Sequence, residues 1–292
     1  MKIFFLNTIL LLTTLTVHAT GCAGDILYTD SISQWILLRK PLEESDQLWE
    51  KIEAVLPPDR STSTANWGGY TAFWSIKQNV LYLDSVQYVI NSYDNNTYLC
   101  INTDTLRHIF KKQFDGKNIA ATWFTGKIRI ARGNMVYYKH NGYERNYDEE
   151  QIIEIKEGKV YDRQHYHNFY KDGFSFDDRK KLTDLLKSFP LDIKKYPELF
   201  VEQRNGTKQL KSKKIHFEIT HASVDSTGHL TNCKVIAHIN YGNTTEELPN
   251  IATEMEKTLK SYYPWRAIYI NGEYRAYGIE RFHFIYTLLP TE

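Results

Sequence analysis

Apolar positions along this 292-residue chain follow two periods, and the changes between them mark its elements. Ile215, Phe217 and Ile219 alternate with polar residues, and so do Cys233, Val235, Ala237 and Ile239. A strand with one buried face requires this pattern, because successive side chains leave opposite faces of a sheet. Residues 70–76 and 80–86 are denser apolar and aromatic runs joined by Lys77-Gln78-Asn79, which predicts a hairpin. Residues 151–155 and 160–163 flank Glu157-Gly158 in the same way. Extended stretches are also expected at 25–37, 87–90, 97–101 and 135–138, and at 119–130 with a break at Thr125-Gly126.

Other segments carry the helical period. Residues 42–56 place Leu48, Trp49, Ile52, Val55 and Leu56 on one face, and Pro57-Pro58 ends the run. Residues 104–114 turn Leu106, Ile109 and Phe110 inward, with Asn102 or Thr103 as the cap. Residues 174–189 bury Leu182, Leu185, Leu186 and Phe189 behind a cap at Asp177 or Asp178. Residues 246–260 align Leu248, Ile251, Ala252, Met255 and Leu259, with Pro249 in the first turn, where a missing N–H does no harm. Strands at 267–270 and 279–288, with Asn271-Gly272 as a turn, complete a β-β-α-β-β order. The polar stretch 191–214, broken by Pro197 and Asn205-Gly206, contains the expected domain boundary. The organisation predicted is α+β. A β-rich domain with a few short helices covers 25–173, a helix and linker cover 174–213, and a small β-β-α-β-β domain covers 214–290.

Residues 1–22 fit neither period. Lys2 precedes an apolar run over 3–15, and Val17-His18-Ala19 supplies small residues where a signal peptidase reads. The run is too short to span a bilayer as a mature helix. Cleavage after Ala19 removes 1–19 and leaves a soluble protein beginning at Thr20. Alternatively, Ala19-Thr20-Gly21-Cys22 works as a lipobox-like sequence, 1–21 is removed, and Cys22 is acylated. Either route places the protein in the periplasm or at the outer membrane.

Composition narrows the classes further. With 42% hydrophobic and 24% charged residues the chain belongs with folded soluble proteins. Its 36 basic and 35 acidic side chains leave a net charge of +1, so no global field draws in nucleic acid or an anionic membrane. A lipid on Cys22 is then the one expected route to a membrane. The 21 tyrosines and 14 phenylalanines suit a sheet-rich structure with aromatic contact residues. Three cysteines are too few for a disulfide scaffold.

The tail carries Phe217-Glu218-Ile219, the Thr227-Gly228 turn, Asn232 to Val235, a helix before Tyr263-Pro264-Trp265, then Ala267, Asn271-Gly272 and Phe282-His283-Phe284. In this order the set resembles the C-terminal domain of TonB and its relatives, over about the last quarter of the chain. That resemblance implies a small sheet with a helix packed on it, which pairs a partner peptide with a sheet edge, so that backbone hydrogen bonds supply affinity. Energy transduction is not implied, because the chain has only 8 prolines and no Pro-rich spacer, and its N-terminal run reads as cleavable. The first half resembles a group of uncharacterised bacterial exported proteins. It does so through Ser63-Thr64-Ala65-Asn66-Trp67, Gly69-Tyr70-Thr71-Ala72-Phe73-Trp74, Leu81-Tyr82-Leu83, Trp123-Phe124-Thr125-Gly126, Arg129-Ile130 and Gly142-Tyr143. This second resemblance implies a domain and no chemistry.

Candidate chemistry is sparse. His165 and His167 stand two apart, so on a strand both imidazoles point the same way and could chelate Zn or Cu with Asp162 or Asp172. No second Cys/His pair at ligand spacing and no HExxH accompanies them, so neither a metal nor a cofactor is expected. His216, His221 and His238 read as solvated positions, and so do Lys211, Lys213 and Lys214. The adjacent acids Asp177-Asp178 and Glu149-Glu150 point to different faces, and no nucleophile elbow, phosphate loop or dinucleotide fingerprint occurs. Cys100, among Tyr98, Leu99 and Ile101, predicts a buried thiol. Pro264 and Trp265 are expected as a core or partner-binding anchor. Together these features point to a non-enzymatic envelope protein that binds a protein or peptide partner. An enzyme acting on envelope polymers and a periplasmic immunity protein are the alternatives. Intact-mass measurement of the mature protein should show a start at Thr20, or a start at Cys22 with added acyl mass; a cytoplasmic protein retaining Met1 would exclude both routes.

Overall fold

The computed structural model describes residues 21–30, 32–91 and 96–288, so the export signal expected over 1–19 lies outside the described residues. The chain is a strand-rich α+β protein, with four α-helices among the described residues. It divides into two compact units that meet between His165 and Tyr166.

The first unit contains β1 (Asp25–Tyr28), β2 (Gln34–Leu37), α1 (Asp46–Glu53), β3 (Tyr70–Lys77), β4 (Val80–Asn91), β5 (Asn96–Cys100) and α2 (Thr103–Ile109). It continues with β6 (Ile119–Ala120), β7 (Gly126–Tyr138), β8 (Arg145–Lys156) and β9 (Lys159–His167). Its sheet runs β3-β1-β2-β7-β8-β9-β4 and returns to β3, while β5 and β6 pair with β4. Closure between β4 and β9 is short: Val80 faces Lys159, and Leu81 N and Val160 N donate to Gly158 O and Asn79 O, each at 2.8 Å. Closing the sheet consumes edges that would otherwise be open to association. Leu27, Trp74, Leu81, Ile128, Ile130 and Ile153 fill the core, and Leu48, Ile52, Leu106 and Phe110 cover it from α1, α2 and the residue after α2.

Both expected hairpins form on turns with left-handed central residues, Gln78 (φ 51°) with Asn79 (φ 60°), and Glu157 (φ 48°) with Gly158 (φ 79°). Turns of this hand match the twist of the strands they join. Gly158 is required there for a second reason, since an added Cβ would lie 2.9 Å from the Ala121 carbonyl. Several expectations shorten or merge. The helix over 42–56 is a 3-10 turn at Pro41–Glu44 followed by α1, and the helix over 104–114 stops at Ile109. The strand at 135–138 is the end of β7, whose register shifts between Arg132 and Tyr137. Cys100 is a correction: it is exposed, because β5 is outermost on β4 and every residue in it is exposed.

The second unit contains β10 (Phe169–Lys171), α3 (Arg179–Lys187), β11 (Phe200–Glu202), β12 (Lys208–Leu210), β13 (Lys214–Val224) and β14 (Leu230–Tyr241). After these come β15 (Thr244–Glu247), α4 (Pro249–Ser261), β16 (Ala267–Ile270), β17 (Glu273–Arg275) and β18 (Tyr277–Thr287). A four-stranded antiparallel sheet runs β15-β14-β13-β18, and β10-β16-β17 form a smaller one. The alternation assigns the faces as expected. Ile215, Phe217, Ile219, Cys233, Val235, Ala237 and Ile239 are buried, beneath Ile251, Ala252, Met255 and Leu259 of α4. Pro249 opens α4 at its first turn, and Asp178 caps α3 by accepting from Lys181 N at 3.0 Å.

The β-β-α-β-β order gains β15 and β17, and its last two expected strands lie in different sheets, since β16 pairs with β10 while β18 pairs with β13. The expected boundary within 191–214 also moves. The helix expected over 174–189 forms as α3 and packs on β18, but the rest of 174–213 is not a linker: Ile193, Tyr196 and Leu199 are buried, and β11 and β12 pair around Asn205-Gly206. These segments belong to the second unit because their partners lie far downstream in the chain.

Candidate functional site

The Pro264-Trp265 element lies at the centre of the second unit. Trp265 is 1% exposed, stacks on Phe176 (4.7 Å between centroids) and tilts against Phe174 (5.8 Å). Its backbone is held on two sides. Trp265 N donates to Gly228 O at 2.8 Å, and Phe174 N and Arg266 N donate to Pro264 O and Phe174 O at 2.9 and 2.8 Å. Gly228 (φ 94°) lets the Asp225–Gly228 turn approach, because a Cβ there would lie 2.9 Å from Trp265 O. The same turn is clamped by Asp225, whose carboxylate accepts from Thr227 Oγ1 and from the amides of His229 and Thr227; these bonds hold its pKa down to about 2. Trp265 is therefore a core anchor, not a residue presented to a partner. Its indole Nε1 is buried with no hydrogen-bond partner among the described residues.

The four-stranded sheet leaves two stretches of edge open among the described residues. The eleven-residue β18 pairs only with β13, at ten register positions. β14 is internal in strand order, yet β15 covers only His238 to Tyr241 of its outer side. Leu248 N donates to Ala237 O at 2.8 Å, so the odd-numbered residues of β14 from Cys233 on aim their backbone groups outward. Between Leu230 and Ile236 no described strand meets them. Beside this edge α4 leaves a groove of about 310 Å³, walled by Lys234 to Ala237, Glu247, Pro249, Ala252, Thr253 and Glu256. The sequence does not mark this edge, because the shortness of β15 has no signal in the apolar pattern.

In the first unit the aromatic motif residues tie the scaffold. Trp74 Nε1 and Ala72 N donate to the fully buried Asp25 carboxylate at 3.0 and 3.1 Å. Lys40 Nζ donates to Asn66 Oδ1 at 2.7 Å and sits 4.0 Å above the Tyr70 ring, while Tyr70 OH donates to Glu43 at 3.0 Å. Trp123 Nε1 donates to Pro41 O, and Tyr143 OH to Ala23 O. Burial pushes the Asp25 carboxyl up to about 7, against the lowering effects of the Trp74 hydrogen bond and Lys40, and burial also raises Tyr70 and Tyr143. Both Asp25 oxygens are occupied by scaffold donors, so this carboxyl serves packing.

The remaining sequence candidates are dispersed. His165 and His167 are exposed on β9, and His167 stacks on Phe169 instead of meeting Asp162 or Asp172. Among the described residues no group of three or more His, Cys, Asp or Glu is gathered for a metal. Asp178 is a helix cap; Glu149 pairs with Arg132; Glu150, buried, accepts from Asn146 Nδ2 and Tyr147 N. Lys211 is not simply solvated, since it pairs with Glu246 at 2.6 Å, whereas Lys213 is exposed. Cys22 is half-buried with its amide on Gly142 O, Cys233 is buried with its thiol pushed up to about 12, and the three thiols are unpaired. Comparison with protein-family models, curated proteins and solved structures finds no match for the chain.

Two outcomes are expected from these sites. Trp265→Ala should destabilise the second unit by about 3–5 kcal/mol, while Lys213→Ala should change it by under about 0.5 kcal/mol, as read by urea denaturation. Near-wild-type stability of the Trp265 variant would contradict its anchoring role. For Asp25, the folded-state pKa of about 7 lies above the ordinary value of 3.8, so the folded protein holds a proton that the unfolded chain releases between them. Stability of the first unit should then fall as pH rises from about 4 to about 7 and level off above. Asp25→Asn should flatten that slope in hydrogen exchange of the Ala72 amide, and the pH-dependent shift of the Trp74 indole resonance should vanish with it.

Proposed function

We propose that this chain is an exported, non-enzymatic envelope protein whose second unit binds an extended segment of a protein partner by strand addition. The observation that carries the reading is the unpaired outer edge of β14 between Leu230 and Ile236, lying beside the groove under α4. Strand addition draws affinity from backbone hydrogen bonds and choice from pockets for alternate side chains, and this stretch offers both. The resemblance of the tail to the TonB C-terminal domain supports the same mode, and the pattern of residues 1–22 supports an envelope location. The TonB-like reading of the second unit and the lipid at Cys22 belong to this proposal. An enzymatic reading has less support, since the acids it would use are engaged in caps, ion pairs and a scaffold carboxyl.

The test uses the exposed groove residue Thr253. A photo-crosslinking side chain at Thr253 should give a discrete adduct in intact envelopes, and filling the groove with Thr253→Tyr should weaken binding of the identified partner at least about tenfold, or about 1.4 kcal/mol. On β18, Ile285 is exposed, and its amide points away from β13 by the same alternation. Ile285→Pro should therefore leave binding intact. Loss of binding in that variant alone would move the site to β18, and no adduct from Thr253 with binding unchanged in both variants would refute strand addition.

A further inference from the structure

The face of the four-stranded sheet opposite Phe217 and Ala237 holds a second arrangement of chemistry. Glu247, His238, His216 and Ile285 are direct cross-strand partners in one row over β15, β14, β13 and β18. Directly opposed residues on antiparallel strands hold their Cβ atoms about 4.5–5.5 Å apart, closer than residues two apart along one strand. The His216 and His238 rings lie 5.2 Å apart between centroids and 11° from parallel. Both are half-buried, and no ring nitrogen of either has a hydrogen-bond partner among the described residues.

We propose that His216 and His238 form a two-imidazole site for a divalent transition ion, taking Cu(II) ahead of Ni(II) and Zn(II), with water completing the coordination.

The chemistry follows from the donors. Neutral imidazole suits these ions, and the order of preference is that of nitrogen-donor sites generally. The groups facing the pair are Lys214 and Glu218 on β13, Ile236 and Asn240 on β14, Glu247 on β15, and His283 and Ile285 on β18. Glu218 is engaged by Arg281 at 2.7 Å, which leaves Glu247 as the carboxylate in the row able to swing toward an ion on His238. Partial burial, followed by the charges of His238 and Lys214, lowers the His216 pKa. The rings are stacked nearly parallel, so a turn of one ring about its Cβ–Cγ bond brings both in-plane lone pairs onto one ion. The site does not depend on the strand-addition reading, and each can fail without the other.

The experiment titrates the full mature protein with CuCl₂, and separately with ZnCl₂, at pH 7.5. Calorimetry gives the affinity, and histidine side-chain resonances report the location. One equivalent of Cu(II) should broaden His216 and His238 before any other ring. His216→Asn or His238→Asn should each weaken binding at least about tenfold, while the His165→Asn/His167→Asn double variant should bind as wild type. Lowering the pH to about 5.5 should weaken binding by a similar factor, because protons compete for the same lone pairs. Cu(II) broadening centred on other residues, or unchanged affinity in both Asn variants with the sheet intact by circular dichroism, would overturn the proposal. Should one Asn variant fail to fold, the location of Cu(II) broadening in the wild type decides alone.

Discussion

Burial of Trp265 is the constraint on which the second unit depends. Its ring fills the space beside Phe174 and Phe176, ahead of α3, while its amide reaches the Asp225–Gly228 turn that joins β13 to β14. One residue thereby couples the small sheet, which contains β16, to the large one. The neighbouring glycines are consequences of that closeness. A Cβ at Gly173 would lie 2.5 Å from Pro264 O, and one at Gly228 would meet Trp265 O. Side-chain burial and backbone approach are here the same requirement, since the indole reaches its cavity only if both flanking segments come within hydrogen-bonding distance.

The first unit reaches stability by another route. Its sheet closes on itself, and its polar groups are buried in pairs: Asp25 with Trp74 and Ala72, Lys40 with Asn66 and Tyr70, Glu150 with Asn146 and Tyr147. A buried carboxylate without donors would cost several kcal/mol, so each acid needs its partners for the unit to fold. This accounts for the Asn66, Tyr70 and Trp74 motif in structural terms. Hydrogen-bonding residues at those positions hold the strands that carry them in register with distant segments.

The contrast between the units bears on function. Where the first unit closes most of its sheet and leaves β5 outermost, the second leaves one edge of β18 and part of β14 unpaired among the described residues. Open backbone edges are a hazard in proteins without a use for them. Here the open part of β14 lies beside a groove, and the sheet face opposite Phe217 carries paired imidazoles, so both features come with side chains capable of recognition.

Local chemistry was legible in the sequence, and long-range pairing was not. The alternation at Ile215 to Ile219 and Cys233 to Ile239 assigned buried faces correctly, because a period of two is a property of one strand. The turns at Gln78-Asn79 and Glu157-Gly158 and the first turn of α4 at Pro249 were determined the same way, by backbone conformations that few residues adopt. What each strand would pair with was decided only by the tertiary structure. Cys100 looked buried among apolar neighbours, but every residue of β5, outermost on β4, is exposed. Residues 191–213 looked like a linker because their partners, Glu246 and Leu288 among them, come late in the chain. The His216–His238 row likewise depends on a cross-strand register, which neither strand encodes alone. A single strand specifies which of its faces is buried; its neighbours, and therefore its edges and sites, follow from contacts made across the chain.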